Sequence, residues 1–181
     1  MLKKPNKVEI VCKKVKDASF QIADTSNKER NNALKLISKQ LLRSIDKVIL
    51  ANKKDYEIAK ENKTPLHLLD RLLLNKERIK NMAKDIINIS KLEDPIGREL
   101  INKIRPNGLK ITKVSVPLGV IAVIFESRPN VACDVACLCI KSGNAVVLKG
   151  GKEAKNTTET IIKMIRETLK KTSLNSNSVS S

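Results

Sequence analysis

Aromatic side chains are nearly missing: there is no tryptophan, and Phe20, Tyr56 and Phe125 are the only rings in 181 residues. Single-stranded nucleic acid is gripped largely by bases stacking on such rings, so no stacking platform can be assembled. An unbroken apolar run of about 18 residues, the least that reads as a membrane span, does not occur. The first sixteen residues carry lysines but no continuous hydrophobic segment, so they do not read as a secretory leader. Histidine occurs once, at His67, where it reads as a packed or surface residue rather than a ligand. Together these absences point to a cytoplasmic protein that does not partner a membrane, with Cys12, Cys133, Cys137 and Cys139 kept reduced.

Apolar residues make up 41% and charged residues 30% of the chain, enough burial capacity for a globular fold. Lys and Arg outnumber Asp and Glu by 36 to 19, a formal charge of +17 that favours phosphates and other polyanions. The lysines are spread along the whole chain rather than gathered in one stripe. A solvated helical face accounts for them, and no nucleic-acid partner is expected.

Apolar residues recur at steps of three and four from Asn32 to Asn52, predicting one amphipathic helix there. Asn75 can cap another, with Ile79, Met82, Ala83, Ile86 and Ile87 on its packing side. Residues 1–95 thus read as a helical segment. Arg105-Pro106-Asn107-Gly108 then separates two extended runs, predicting a β-ribbon arm over 96–117. Gly119 to Phe125 is a continuous apolar run, expected to be a core strand buried on both faces. A helix over Pro129 to Lys141, ended by Ser142-Gly143, and a second strand over Ala145 to Leu148 complete a strand–helix–strand unit. With a last helix after Gly150-Gly151, residues 118–172 form a βαβα unit. The Ser- and Asn-rich stretch 173–181 reads as a loose tail. The fold class is therefore α/β: amino-terminal helices, a β-ribbon arm, and the start of a Rossmann-like parallel sheet that is incomplete, since two strands cannot seal both faces.

In open α/β sheets ligands gather beyond the carboxyl ends of the strands. That singles out Glu126-Ser127-Arg128-Pro129-Asn130 after the first strand and Lys149-Gly150-Gly151-Lys152-Glu153 after the second. Two glycines allow close backbone approach, the following helix start offers N–H groups, and two lysines add charge. On the residues alone the second segment is either a phosphate seat or a plain surface turn, for it matches neither common glycine-rich phosphate motif. Cys133, Cys137 and Cys139 do not converge as three ligands on a helix, and they read as small buried thiols rather than a metal site.

Val116-Pro117-Leu118-Gly119-Val120-Ile121, Phe125-Glu126-Ser127-Arg128-Pro129-Asn130-Val131 and Lys141-Ser142-Gly143-Asn144 leading into Lys149-Gly150-Gly151-Lys152-Glu153-Ala154 closely resemble the γ-glutamyl phosphate reductases. These are also called glutamate-5-semialdehyde dehydrogenases and belong to the aldehyde dehydrogenase superfamily. Similarity runs from about Asp17 to Leu174 and is that of an amino-terminal part. The resemblance implies NADPH-dependent reduction of L-glutamyl 5-phosphate to L-glutamate 5-semialdehyde in proline biosynthesis, through a cysteine thiolate and a thioester. It implies Lys149, Gly150, Gly151, Lys152 and Glu153 at the cofactor, with the cation of Lys152 suiting a 2′-phosphate. It further implies Asn130 as a possible oxyanion contact and Arg128 as a substrate-binding residue. None of the four cysteines matches the family's nucleophile and the catalytic domain is absent, so the chain alone is expected to be an inactive, truncated fragment. Intact family members are homo-oligomers, and the alternative reading is a non-catalytic module that associates with full-length reductase subunits.

Overall fold

Asn6 opens the chain's first helix by accepting from the Glu9 N–H at 2.9 Å while the Glu9 carboxylate accepts from the Asn6 N–H, a reciprocal cap. The computed structural model describes residues 6–126 and 128–181. Helix α1 is Lys7–Ala23, α2 is Asn27–Arg43 behind a second such cap at Ser26 and Glu29, and α3 is Ile45–Glu61. The single helix expected over Asn32 to Asn52 is therefore two. The Ser44 N–H reaches back to the carbonyls of Gln40 and Leu41, and at Ser44 the backbone leaves helical geometry, with φ −103° and ψ 11°, before α3 begins. After α4, Leu66–Leu72, the side chain of Asn75 caps α5, Lys76–Lys91, as its residue type predicts.

Strands β1, Glu99–Ile104, and β2, Lys110–Val114, form the antiparallel ribbon, closed at Gly108 with φ +83°. Every residue of both strands is exposed. At the ribbon's base the Gly97 N–H donates to the Ser115 carbonyl at 2.9 Å, and the Ser115 hydroxyl donates to the Pro95 carbonyl. Asp94 anchors this base to the body through Arg30, a fully buried guanidinium whose Nη2 lies 2.8 Å from the carboxylate.

Strands β3, Val120–Ile124, and β4, Ala145–Lys149, are adjacent and parallel, joined by α6, Pro129–Lys141. Helix α6 ends as its sequence predicts: Gly143 takes φ +67°, and Asn144 N–H donates to the Cys139 carbonyl at 2.8 Å. A side chain at Gly143 would also stand 2.6 Å from Ile96 Cδ1, so the same residue lets the ribbon's base pack against α6.

Two expectations are corrected. Strand β3 is not buried on both faces, because it is an edge of the sheet and Ile124 is 82% exposed; β4 is the core strand. The stretch 173–181 is not loose. Leu174, Ser178 and Val179 are buried, and Val179–Ser180 forms a third parallel strand, β5, beside Val146 and Val147. Arg166 of α7, Lys155–Leu169, fixes it by donating to the Val179 carbonyl and the Asn177 side chain, both at 2.9 Å. Two apolar residues and one guanidinium are enough to order a polar stretch. The sheet order is β3-β4-β5, and one apolar cluster runs from α1, α2 and α5 through α6 to β4 and α7.

Candidate functional site

Lys149 ends β4, and its carbonyl accepts the Phe125 N–H at 3.1 Å, so the last residues of β3 and β4 are tied together where the sheet stops. From there the chain runs through Gly150 and Gly151 into a short 3-10 turn over Lys152–Ala154 and then α7. A Cβ at Gly150 would lie 3.3 Å from the Phe125 ring and from the Thr158 hydroxyl. At Gly151 it would fall on the Glu153 carboxylate. Both glycines thus sit where another group closes on the backbone. Lys149, Gly150, Gly151 and Lys152 line one cleft of about 290 Å³ together with Lys7 and Lys155, and Glu159 is the acidic group on its wall. The lysines at 149 and 152 are exposed, and the Lys149 ammonium donates to the Gly150 carbonyl at 3.1 Å.

The start of α7 differs from expectation. Its N–H groups do not point into open space, because Asp55 of α3, 2% exposed, occupies them. Its carboxylate accepts from the Asn156 N–H at 3.1 Å, the Asn156 side chain at 2.8 Å, the Thr157 N–H at 2.7 Å and the Thr157 hydroxyl at 2.6 Å. An internal carboxylate thereby takes the place that the helix dipole would offer a phosphate. The anion-binding capacity of the turn rests on its lysines and glycines instead. Beside it Asn52, 1% exposed, accepts from the Leu74 N–H at 2.7 Å and donates to the Leu72 carbonyl at 2.8 Å, joining α3 to the α4–α5 corner. Sequence reading missed both residues. The signal was present, since Val48, Asn52, Asp55 and Ala59 follow one another at helical steps of four, three and four, on the face α3 buries.

Arg128 and Asn130 lie at the start of α6 and line a different cleft, about 350 Å³ in volume, bounded by α4 and α5. The structure therefore brings Lys149, Gly150, Gly151 and Lys152 together and places Arg128 and Asn130 apart from them. Pro129 occupies the first turn of α6, where its missing N–H costs nothing, and the N-cap residue Arg128 makes no side-chain cap. The Asn130 amide donates to Asp134 one turn along at 3.1 Å. Burial, reinforced by the charge of Asp85 on α5, raises the Asp134 pKa above the usual carboxylate value, against the opposing pull of that amide. Ser127 lies outside the described residues.

The three cysteines of α6 are buried. A hydrogen bond with Cys133, together with burial, holds the Cys137 thiol well above its usual pKa, and burial pushes Cys139 up to about 11. These are thiols at neutral pH rather than thiolate nucleophiles. No group of three or more His, Cys, Asp or Glu side chains among the described residues is placed to hold a metal ion. No helix among them is long and apolar enough to cross a membrane.

No family model matches the chain. It is 46% identical over 167 residues to a γ-glutamyl phosphate reductase of Histophilus somni, covering 92% of this chain and 40% of that protein. Its structure superposes on the crystal structure of γ-glutamyl phosphate reductase from Thermotoga maritima with a TM-score of 0.94 and 37% identity, over 97% of this chain and 42% of that one. A probable aldehyde dehydrogenase from Listeria monocytogenes shares the fold at a TM-score of 0.71 and 18% identity. The chain spans about two fifths of the length of the curated relatives it matches.

Proposed function

Since this chain belongs to the γ-glutamyl phosphate reductase family, as the counterpart of its amino-terminal part, we propose that it carries the 2′-phosphate end of an NADPH site. The reaction served is reduction of L-glutamyl 5-phosphate to L-glutamate 5-semialdehyde, a step of proline biosynthesis in the cytoplasm. The observation that carries this reading is that Lys149 and Lys152 share one cleft with the two glycines at the carboxyl end of β4. The cleft suits the group's charge, since Lys7, Lys149, Lys152 and Lys155 line it beside the two glycines. Lys152 would pair with the 2′-phosphate and Lys149 with the adjoining ribose, while Gly150 and Gly151 admit the nucleotide to the main chain. NADPH supplies hydride when bound. The three cysteines of α6 are buried, which does not suit a nucleophilic thiol.

Two measurements test this. In a titration of the chain with 2′,5′-ADP followed by amide NMR shifts, residues 149–153 should respond saturably. Replacing Lys152 by Glu should weaken binding at least about tenfold, the loss of one charge-assisted contact. A flat response, or a variant that binds as the parent does, overturns the reading. Mixed with glutamyl phosphate, the chain alone should oxidise NADPH no faster than the blank.

A second reading, a module that docks on longer reductase subunits, is favoured by the ribbon, where Leu100, Ile101, Ile104 and Ile111 are all exposed. It predicts co-purification of this chain with a full-length reductase, lost when Ile104 and Ile111 become Lys.

A further inference from the structure

The cleft at the start of α6 carries charges of both signs, several of them without an ion partner among the described residues. Six charged side chains line it. Two of them satisfy each other: Arg78 donates to the Asp70 carboxylate at 2.7 Å and to the Leu73 carbonyl at 2.9 Å, bracing the α4–α5 corner. Four remain. Arg71 at the end of α4 and Arg128 at the mouth of α6 are exposed and make no ion pair among the described residues. Among the described residues Asp85 on α5 makes none either, and the side-chain partner of Asp134 is the amide of Asn130. Two unpaired guanidiniums and two unpaired carboxylates facing one concave space are the complement of a zwitterion. A purely anionic ligand would meet two carboxylates, and a purely cationic one two guanidiniums.

We propose that this cleft seats the head group of an α-amino acid, its ammonium held by Asp134 and Asp85 and its carboxylate by Arg128 and Arg71. Proposing an amino acid as the occupant rests on the reductase reading above, whose substrate is a γ-acylated glutamate; the complementarity of the cleft does not. Asp134 is the more committed ammonium partner, being half-buried on a rigid helix, and Asn130 fixes its orientation. Arg128, one residue before the helix, offers a planar two-pronged donor to the carboxylate. An ammonium in this position relieves both influences that disfavour ionised Asp134, its burial and the neighbouring charge of Asp85. With the head group held here, the γ-carbonyl of an extended side chain points out of the cleft, towards whatever group attacks it.

The test is an amide NMR titration of the chain with L-glutamate and, separately, with glutarate, which keeps the carboxylates and lacks the ammonium. L-glutamate should shift residues 81–85 and 130–134 saturably, and glutarate should bind at least about tenfold more weakly. Asp134→Asn keeps the side-chain shape and should weaken L-glutamate binding about tenfold while glutarate, relieved of a repelling carboxylate, binds no more weakly than before. Asp85→Asn, at an exposed helix position that no fold contact uses, should act in the same direction. Equal binding of the two ligands, indifference to both substitutions, or shifts confined to residues outside α4, α5 and α6 overturns the proposal. Adding 2′,5′-ADP to the same sample separates the two readings. Failure at residues 149–153 with L-glutamate binding intact sinks the cofactor-site reading and leaves the seat standing, whereas the opposite pattern sinks the seat alone.

Discussion

The two strand-to-helix turns at the carboxyl end of the sheet follow the same plan and are finished differently. After β4, the turn is closed from within: Asp55 fills the start of α7, Gly150 lies under Phe125, and what faces outward is lysine. After β3, the N-cap residue Arg128 makes no side-chain cap, and Arg128, Asp85 and Asp134 have no ion partners among the described residues. The contrast separates residues that hold the fold from residues kept ready for a ligand. A buried carboxylate with four hydrogen bonds is structural, whereas half-exposed charges in a cleft are a reserve for binding.

The hardest blow to that contrast would come from stability. Replacing Asp55 by Ala removes a buried cap of α7 and its link to α3, and should cost about 3 kcal/mol in urea unfolding. Arg128→Ala, at the turn after β3, should stay within about 0.5 kcal/mol. Similar losses in the two variants would erase the distinction. A smaller effect sharpens it within the closed turn. Gly150→Ala crowds the Phe125 ring and the Thr158 hydroxyl and should cost about 1 kcal/mol in thermal melting. The smallest effect is one of sign. Because burial raises the Asp134 pKa, with Asp85 adding to the rise, the wild type has this residue's full contribution below the ordinary carboxylate range and loses part of it as pH climbs through the raised value. Asp134→Asn should therefore melt higher than wild type at pH 7, and the advantage should vanish in acid. A variant that is no more stable at neutral pH would show that Asp134 carries no strain.

Much of this was legible in the residues. Helix α6 runs from Pro129 to Lys141 as predicted, because proline opens it and Ser142-Gly143 closes it. The ribbon and its turn follow from Arg105-Pro106-Asn107-Gly108. Strand β3 misled, since a continuous apolar run has the same composition at an edge as in the centre of a sheet, and only the neighbours decide. Strand β5 was invisible because two residues have no periodicity; it is made by its partners, β4 and Arg166. The separation of Arg128 and Asn130 from Lys149 and Lys152 into two clefts was equally hidden, since each segment ends a strand and only the packing of α5 on α6 assigns them different walls.

The apolar cluster shared by α1, α2 and α5 with α6, β4 and α7 has a consequence for how the chain comes apart. With Leu34, Ile37 and Ile86 embedded in the same interior as Ile140, Leu148 and Ile165, neither portion owns a complete hydrophobic nucleus. Calorimetry should record one heat-absorption peak, and a scission after residue 95 should yield two pieces that become ordered only on being mixed.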